Sequence, residues 1–165
     1  MPGEFTIRPP RRDEADAIAA VQVRGWEQTY TDVLPVGYLD ESHRAMRRRM
    51  WNTILSDPNP AHIVRIAEVN GVMTGVAMAG SAGEDAPRGR ALFLLYLLAE
   101  HHGSGAGQAL LDAVLGAEPA MLWVAKTNPR AIAFYGKNGF VFDGAEQRDA
   151  DMPLLIEARM VRDGM

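Results

Sequence analysis

One stretch in the second half of the chain constrains the fold most, because a buried strand, a glycine-rich turn and a helix are predicted there in direct succession. Residues 91–98 form a nearly continuous apolar run, which is typical of a strand covered on both faces. Three glycines follow at Gly103, Gly105 and Gly107. Apolar residues then mark one face of a helix, namely Leu110, Leu111, Val114 and Leu115. Glycines let a backbone approach an anion closely, and a helix start offers unpaired N–H groups and a positive dipole end. The stretch therefore predicts a phosphate cradle, and the alternative is a plain glycine-rich turn.

The rest of the chain predicts an α/β or α+β fold. Asn70-Gly71 is a strong hairpin signal, with a strand over 62–69 before it and a second over 72–79 after it. A short strand opens the chain, two helices precede the hairpin, and the segments 121–125, 129–138, 139–142 and 153–161 predict strand, helix, strand and strand. The order β-α-α-β-β-β-α-β-α-β-β indicates one mixed sheet with helices on both faces. A length of 165 residues is typical of a single domain.

Composition narrows the classes of function. Lys and Arg number 17 against 21 Asp and Glu, a net charge of −4, which argues against a protein that binds nucleic acid. Cysteine is absent, so disulfides, thiolate metal sites and a cysteine nucleophile are excluded. No stretch approaches the roughly 20 apolar residues of a membrane span, and the N-terminal segment lacks the apolar core of a signal peptide. We therefore expect a cytoplasmic protein that does not associate with membranes.

Two common nucleotide motifs do not fit the glycine-rich turn. A dinucleotide fingerprint, G-x-G-x-x-G, would have a third glycine where Gln108 stands. A P-loop requires G-x-x-x-x-G-K-S/T, and the chain's Gly-Lys pair is Gly136-Lys137. Ala131 stands where the first glycine of that motif is needed, and Asn138 stands where Ser or Thr is needed. Both nucleotide interpretations fail on spacing.

Two motifs in this region resemble those of one family. The segment 102–107 reads H-G-S-G-A-G and is similar to Q/R-x-x-G-x-G/A, with His102 where Gln or Arg is usual. The pattern N-x-x-A-x-x-F/L-Y-x-x-x-G-F stands intact further on, at Asn128, Ala131, Phe134, Tyr135, Gly139 and Phe140. The chain thereby resembles the GCN5-related N-acetyltransferases, the GNAT superfamily. The early residues Trp26, Tyr30, Leu34, Pro35, Tyr38 and Leu39 look like one bacterial branch of it.

The resemblance implies a fold and a cofactor pose. The fold would be a single N-acetyltransferase domain over residues 1–165, a mixed but mostly antiparallel sheet of about six to seven strands that splays between strands four and five. Acetyl-CoA would lie in the splay as co-substrate, without a metal. Backbone groups of the fourth strand at Leu95, Tyr96 and Leu97 would bind the pantetheine arm. Six successive residues would hold the pyrophosphate through their amides: His102, Gly103, Ser104, Gly105, Ala106 and Gly107.

Asn128 and Tyr135 have both a functional and a structural interpretation. Asn128 before Pro129 is a favoured helix cap, and Tyr135 lies two turns along roughly the same helix face. The resemblance implies that Asn128 approaches the cofactor and that the Tyr135 hydroxyl lies near the sulfur, where a phenol can protonate the leaving thiolate. The alternatives are capping alone for Asn128 and core packing with a satisfied hydroxyl for Tyr135.

The general base is not fixed by the sequence. Some relatives place a Glu five residues before the motif Asn, and here that position is Trp123. The fourth strand has no carboxylate over 91–98. Glu27, Asp32, His62 or a water relay remain candidates, and an amine could also bind already neutral.

The resemblance predicts acetyl transfer from acetyl-CoA to a small primary amine by direct attack on the thioester. Trp26 and Tyr30, with Tyr38, would border the acceptor site, where aromatic faces can enclose an amine, or they pack a loop onto the sheet. Two rival functions are an acyl-CoA sensor without turnover and an acetyltransferase for protein N-termini or lysines. A homodimer is possible, and the acceptor and the acyl chain length are not given by the sequence.

Overall fold

The computed structural model describes residues 4–30, 34–35, 37–57, 59–150 and 152–164. Seven strands lie in this part of the chain: β1 (Thr6–Arg8), β2 (Ile63–Val69), β3 (Val72–Ser81), β4 (Arg90–Leu97), β5 (Ala120–Ala125), β6 (Val141–Asp149) and β7 (Met152–Arg162). Four α-helices accompany them: α1 (Ala15–Tyr30), α2 (Glu41–Ser56), α3 (Ala106–Leu115) and α4 (Pro129–Lys137). The described residues contain no helix long and apolar enough to cross a membrane.

All seven strands belong to one sheet in the order β1-β2-β3-β4-β5-β7-β6. Every neighbouring pair is antiparallel except β4 and β5, which run parallel. The predicted hairpin is present, with Asn70 and Gly71 both at positive φ (52° and 77°), as a type I′ turn requires. The predicted mixed, mostly antiparallel sheet is confirmed.

Helices cover both faces of the sheet, as predicted. Ile18 of α1 and Trp51 of α2 pack with Ile66 and Val76 of the sheet on one face. On the other face, α3 and α4 pack over a second apolar cluster that includes Leu110, Leu111, Tyr135, Phe140 and Leu122. The central strands β3, β4 and β5 are apolar along most of their length because each of them is covered on both faces.

The sheet opens between β4 and β5, and this splay is the feature that positions the site. The two strands pair only from Arg90 opposite Ala120 to Leu92 opposite Leu122. Phe93 is then an extra residue in β4, because Leu92 and Leu94 pair with consecutive residues of β3. Such a bulge bends a strand and raises its twist. Beyond it β4 and β5 continue without pairing, so the predicted splay between strands four and five is confirmed.

The last hairpin is longer than the sequence predicts. The sequence predicts a strand over 139–142, whereas β6 runs from Val141 to Asp149 and pairs with β7 along its length. The register shifts between Phe142 and Glu146, around Gly144 at φ +95°. This irregularity breaks the alternation of apolar and polar residues, and so it hides the strand from a reading based on periodicity.

Candidate active site

Alternate residues of β4 form the strand edge that faces the splay. Leu98 donates its amide to a carbonyl of β3 at 3.0 Å. The Tyr96 carbonyl points the same way, because it lies 3.0 Å from where a Cβ on Gly75 of β3 would stand. Successive residues direct their backbone groups to opposite edges, so Leu95 and Leu97 face β5 across the splay. These two can bind a pantetheine arm, whereas the prediction that Tyr96 does so through its backbone is corrected: its backbone pairs with β3.

Of the six amides predicted to hold a pyrophosphate, three have no partner among the described residues, and all three belong to glycines. The amides of His102, Ser104 and Ala106 are already bonded inside the turn between β4 and α3, at 3.1, 3.2 and 3.2 Å. Within the described part of the chain, no hydrogen bond occupies the amides of Gly103, Gly105 and Gly107. Free amides beside the positive end of a helix dipole can bind a phosphate group, so this turn offers the backbone groups that the predicted cradle requires.

The glycines themselves keep the cradle open. Gly103 and Gly105 have φ values of +82° and +91°, which side chains rarely permit. No atom stands within 4 Å of a Cβ placed on Gly103. A Cβ on Gly107 would lie 3.8 Å from the Leu97 side chain and 3.9 Å from the Phe134 ring. Gly107 therefore opens into the cleft between β4 and α4, next to the strand edge described above.

His102 ties the cradle to this strand edge. Its Nε2 lies 3.0 Å from the Leu97 carbonyl oxygen, so the ring nitrogen donates and the carbonyl accepts. The side chain that replaces the usual Gln or Arg thus bonds the protein's own backbone. The groups of β4 that remain toward the splay are the amide and carbonyl of Leu95 and the amide of Leu97.

Asn128 serves both as a helix cap and as a contact to α1. Its side-chain oxygen accepts the Ala131 amide at 3.1 Å, as capping predicts. Its amide group also lies near the Tyr30 hydroxyl. Burial raises the pKa of Tyr30, and the nearby Asn128 amide opposes part of that rise. Asn128 at the start of α4 is therefore a neighbour of Tyr30 at the end of α1.

Tyr135 is buried, yet its hydroxyl has no hydrogen-bond partner in the described part of the chain. The residue is 8% exposed, and its ring packs between Phe134 and Phe140 at centroid distances of 5.3 and 5.9 Å. Burial raises its pKa, and the neighbouring Tyr30 and Tyr96 raise it further, so the phenol stays protonated at neutral pH. A neutral, unpartnered phenol can donate a proton to a group in the cleft. This differs from the core-packing alternative, which requires a satisfied hydroxyl.

The aromatic residues of α1 pack together rather than line an open wall. Trp26 is 9% exposed, and its indole N–H donates to the Tyr96 hydroxyl at 2.5 Å. Its ring meets Tyr30 edge-on at 5.2 Å and stacks on Tyr38 at 6.0 Å, with the Arg47 guanidinium 5.7 Å above it. Burial raises the pKa of Tyr96 to about 12. The cluster therefore brings Tyr30 and Tyr96 close to Tyr135, and Trp26 supports Tyr96.

The structure removes most of the candidate general bases. Glu27 is about half exposed and forms an ion pair with Arg44 at 2.7 Å. His62 packs edge-on against Phe93 at 5.3 Å, at the paired end of β4 and away from the cradle. Asp32 lies outside the described residues. Among those residues no group of three His, Cys, Asp or Glu side chains could hold a metal ion.

Sequence reasoning missed two residues near this centre. The sequence signal for the Tyr96 side chain is its position in a buried strand, where an unpaired hydroxyl is costly and a partner is necessary. No sequence signal identifies Glu157 of β7. Glu157 lies near the tyrosines only because β7 pairs with β5 in the sheet.

A cradle of amides at a helix start, a splayed parallel pair and a buried phenol beside the splay together define an enzyme that transfers acyl groups from coenzyme A. Comparison with known proteins agrees. The model of the Acetyltransferase (GNAT) family matches residues 23–140, so the chain belongs to this family. It is an acetyl-CoA-dependent N-acetyltransferase, and acetyl-CoA is its co-substrate.

Relatives support this assignment in both sequence and structure. The chain is 40% identical over 141 residues to an uncharacterized N-acetyltransferase of Mycobacterium tuberculosis, covering 79% of this chain and 85% of the relative. It is 28% identical over 139 residues to one of Bacillus subtilis, covering 79% and 76%. The PaiA N-acetyltransferase of Thermoplasma acidophilum, solved in complex with coenzyme A, has a TM-score of 0.73 at 20% identity and covers 97% of this chain and 99% of its own. That last similarity concerns the fold.

Proposed function

We propose that the protein acetylates a small molecule that carries a primary amine, by direct attack of the amine on the thioester of acetyl-CoA. The observation that carries the proposal is that three groups suited to parts of acetyl-CoA occur around one cleft. The unpartnered amides of Gly103, Gly105 and Gly107 adjoin the free edge of β4 at Leu97. Tyr135, whose hydroxyl has no partner among the described residues, follows Phe134 in α4, the helix that lies across from Gly107. Each part has a counterpart in the co-substrate: pyrophosphate, pantetheine and sulfur.

In this proposal, the protein first fixes the thioester. The glycine amides bind the pyrophosphate, and Leu95 and Leu97 bind the pantetheine amides as an added strand would. Asn128, at the start of α4 and near Tyr30, contacts the coenzyme in this proposal. Holding the two reactants in a fixed geometry lowers the entropic part of the barrier, so positioning is the main contribution of these groups.

Tyr135 supplies the chemical step that the leaving group needs. Departure of coenzyme A leaves negative charge on sulfur, and a neutral phenol at that place can protonate it. The absence of cysteine agrees with a direct route, because no thiol is available to form an acyl-enzyme. Tyr135 is therefore the proposed general acid.

The packing of the aromatic cluster favours a small acceptor over a protein. Trp26, Tyr30 and Tyr38 pack with Leu155 and Met152 over the end of β5 and β7. We propose that Tyr30 contacts the acceptor and that Trp26 acts mainly by holding Tyr96. A cluster packed in this way restricts access to the tyrosines, which suits a narrow amine better than a peptide chain.

The proposal is tested by measuring thiol release from acetyl-CoA with and without a panel of small amines, a peptide with a free N-terminus and a lysine peptide. We expect release above the amine-free rate with at least one small amine, and an acetylated product of matching mass. Release with peptides alone would instead favour a protein acetyltransferase. Thermal stabilisation by acetyl-CoA without amine-dependent release would favour a sensor.

A further inference from the structure

A half-buried carboxylate, that of Glu157, lies beside the tyrosines of the site. Glu157 of β7 pairs with Ala125 at the end of β5. Ala125 belongs to the apolar cluster of Trp26 and Leu155. Residues opposite one another in a ladder share a face, and so do residues two apart along a strand. Both relations place the Glu157 side chain on the face of the sheet that α1 covers, next to this cluster.

Glu157 also acts on the site directly. Its negative charge raises the pKa of Tyr30, so the carboxylate and the phenol lie within electrostatic reach. Tyr30 in turn acts on both Tyr96 and Tyr135. Glu157 is therefore a neighbour of Tyr30, and Tyr30 is a neighbour of Tyr135, the proposed general acid.

The Glu157 carboxylate can accept further hydrogen bonds. Oε1 of Glu157 accepts the side-chain amide of Gln147 at 3.0 Å. Within the described residues no cation pairs with Glu157, and its Oε2 accepts no hydrogen bond. Other charges around it are already matched: Arg159, two residues along β7, is bonded to Asp143 of β6 at 2.6 Å.

The neighbouring elements add no further charge to this position. On β5, Ala125 and Trp123 carry none, and Lys126 just beyond them pairs with Glu146 of β6 at 2.7 Å. On α1, the group that faces Glu157 is the Tyr30 phenol. Glu157 is thus a carboxylate without a counter-ion, beside the reaction centre of an enzyme whose acceptor is a cation at neutral pH.

We propose that Glu157 binds the protonated acceptor amine and takes its proton before attack, an inference that rests on the proposed function. The ammonium gives one proton to Glu157 and becomes a neutral amine. Its lone pair forms the C–N bond to the thioester carbonyl carbon, and the C–S bond breaks with its electron pair on sulfur. Sulfur takes the hydroxyl proton of Tyr135. The second proton lost by nitrogen restores that phenol, and Glu157 releases its proton to water.

The test is kcat/KM for an amine accepted by the wild type, measured from about pH 7 to about pH 9.5, below the ordinary pKa of an alkyl amine. Glu157→Gln keeps an oxygen that accepts from Gln147 and removes the base. Glu146→Gln is the matched control, since it makes the same charge change one strand away and breaks only a surface ion pair. Acetyl-CoA thermal shifts are recorded for all three proteins.

Glu157→Gln should lower kcat/KM by about 10²-fold at pH 7, the lower end of general acid–base effects. The defect should shrink by about tenfold for each unit of rising pH, because the neutral amine itself becomes more abundant. Glu146→Gln should match the wild type, and all three thermal shifts should agree.

Other outcomes overturn the proposal in distinguishable ways. A Glu157→Gln rate within about twofold of the wild type at every pH removes Glu157 from the reaction. A loss of the same size at every pH means that Glu157 only binds the amine or supports the fold. A wild type that releases no thiol with any amine refutes the proposed function itself, and the base assignment falls with it.

Discussion

Replacing Tyr135 with Phe separates the role of its hydroxyl from the role of its ring. The ring contacts with Phe134 and Phe140 remain, and the hydroxyl has no protein partner to lose. A net hydrogen bond contributes about 0.5–1.5 kcal/mol, so without one we expect the free energy of unfolding to change by less than about 1 kcal/mol. For a chain of this length that is a shift in Tm of less than about 4 °C.

The effect on the rate should be much larger. General acids contribute about 10²–10⁴-fold, and coenzyme A is a fairly good leaving group, so we expect kcat to fall by about 10- to 100-fold. That range corresponds to about 1.4–2.7 kcal/mol in the activation barrier. Binding of acetyl-CoA should be little changed, because the glycine amides are untouched.

Steady-state kinetics with a confirmed amine, together with the thermal shift caused by acetyl-CoA, measure both quantities on one preparation. A kcat within about twofold of the wild type would refute the reasoning. Tyr135 would then be a core residue whose hydroxyl is idle. A large loss of both Tm and acetyl-CoA stabilisation would also refute it, since it would mean that the hydroxyl supports the fold.

Three further predictions concern the cleft, the tyrosine support and acid stability. Acetyl-CoA at about 100 times Kd should raise the Tm of the wild type and of Gly107→Ala by about 5–10 °C. It should raise the Tm of Gly107→Val by less than about 2 °C, because the added methyl groups fill the cleft. Equal shifts in all three proteins would place the coenzyme elsewhere. Tyr96→Phe leaves the Trp26 N–H buried without an acceptor and should lower Tm by about 2–12 °C. The double variant with Trp26→Phe should lose less Tm than the sum of the two single variants. Strict additivity would argue against the hydrogen bond. Hydrogen bonding from Arg8 lowers the pKa of Glu14 from 4.5 to about 2, so the ionised carboxylate stabilises the fold fully above pH 4.5 and loses this effect as pH falls toward 2. The curve of Tm against pH for Glu14→Gln should therefore be flatter in this range than that of the wild type. Parallel curves would contradict the assignment.

Much of the fold and of the cradle was predictable from local patterns. The apolar run at 91–98, the three glycines and the helix after them are one continuous signal, and the structure has β4, the turn and α3 in those places. Asn70-Gly71 fixed its hairpin, and Asn128 before Pro129 fixed the start of α4. In each case a few adjacent residues determine the backbone, so no tertiary information was needed.

The parts that the sequence did not predict depend on contacts between distant segments. The bulge at Phe93 is defined only by its register against β3. Which amides of the cradle stay unpartnered depends on the hydrogen bonds inside the turn, and the orientation of Tyr96 depends on the pairing of β4. Glu157 lies 22 residues after Tyr135 and comes near it only through the strand order β5-β7-β6. Periodicity and motif spacing carry none of this information.

The measurement that most directly tests the account is an experimental structure of the protein with coenzyme A bound. The account predicts pyrophosphate oxygens on the amides of Gly103, Gly105 and Gly107, pantetheine along the edge formed by Leu95 and Leu97, and the sulfur within hydrogen-bonding distance of the Tyr135 hydroxyl. A coenzyme bound outside the splay between β4 and β5, or one inside it whose sulfur points away from Tyr135, would contradict it.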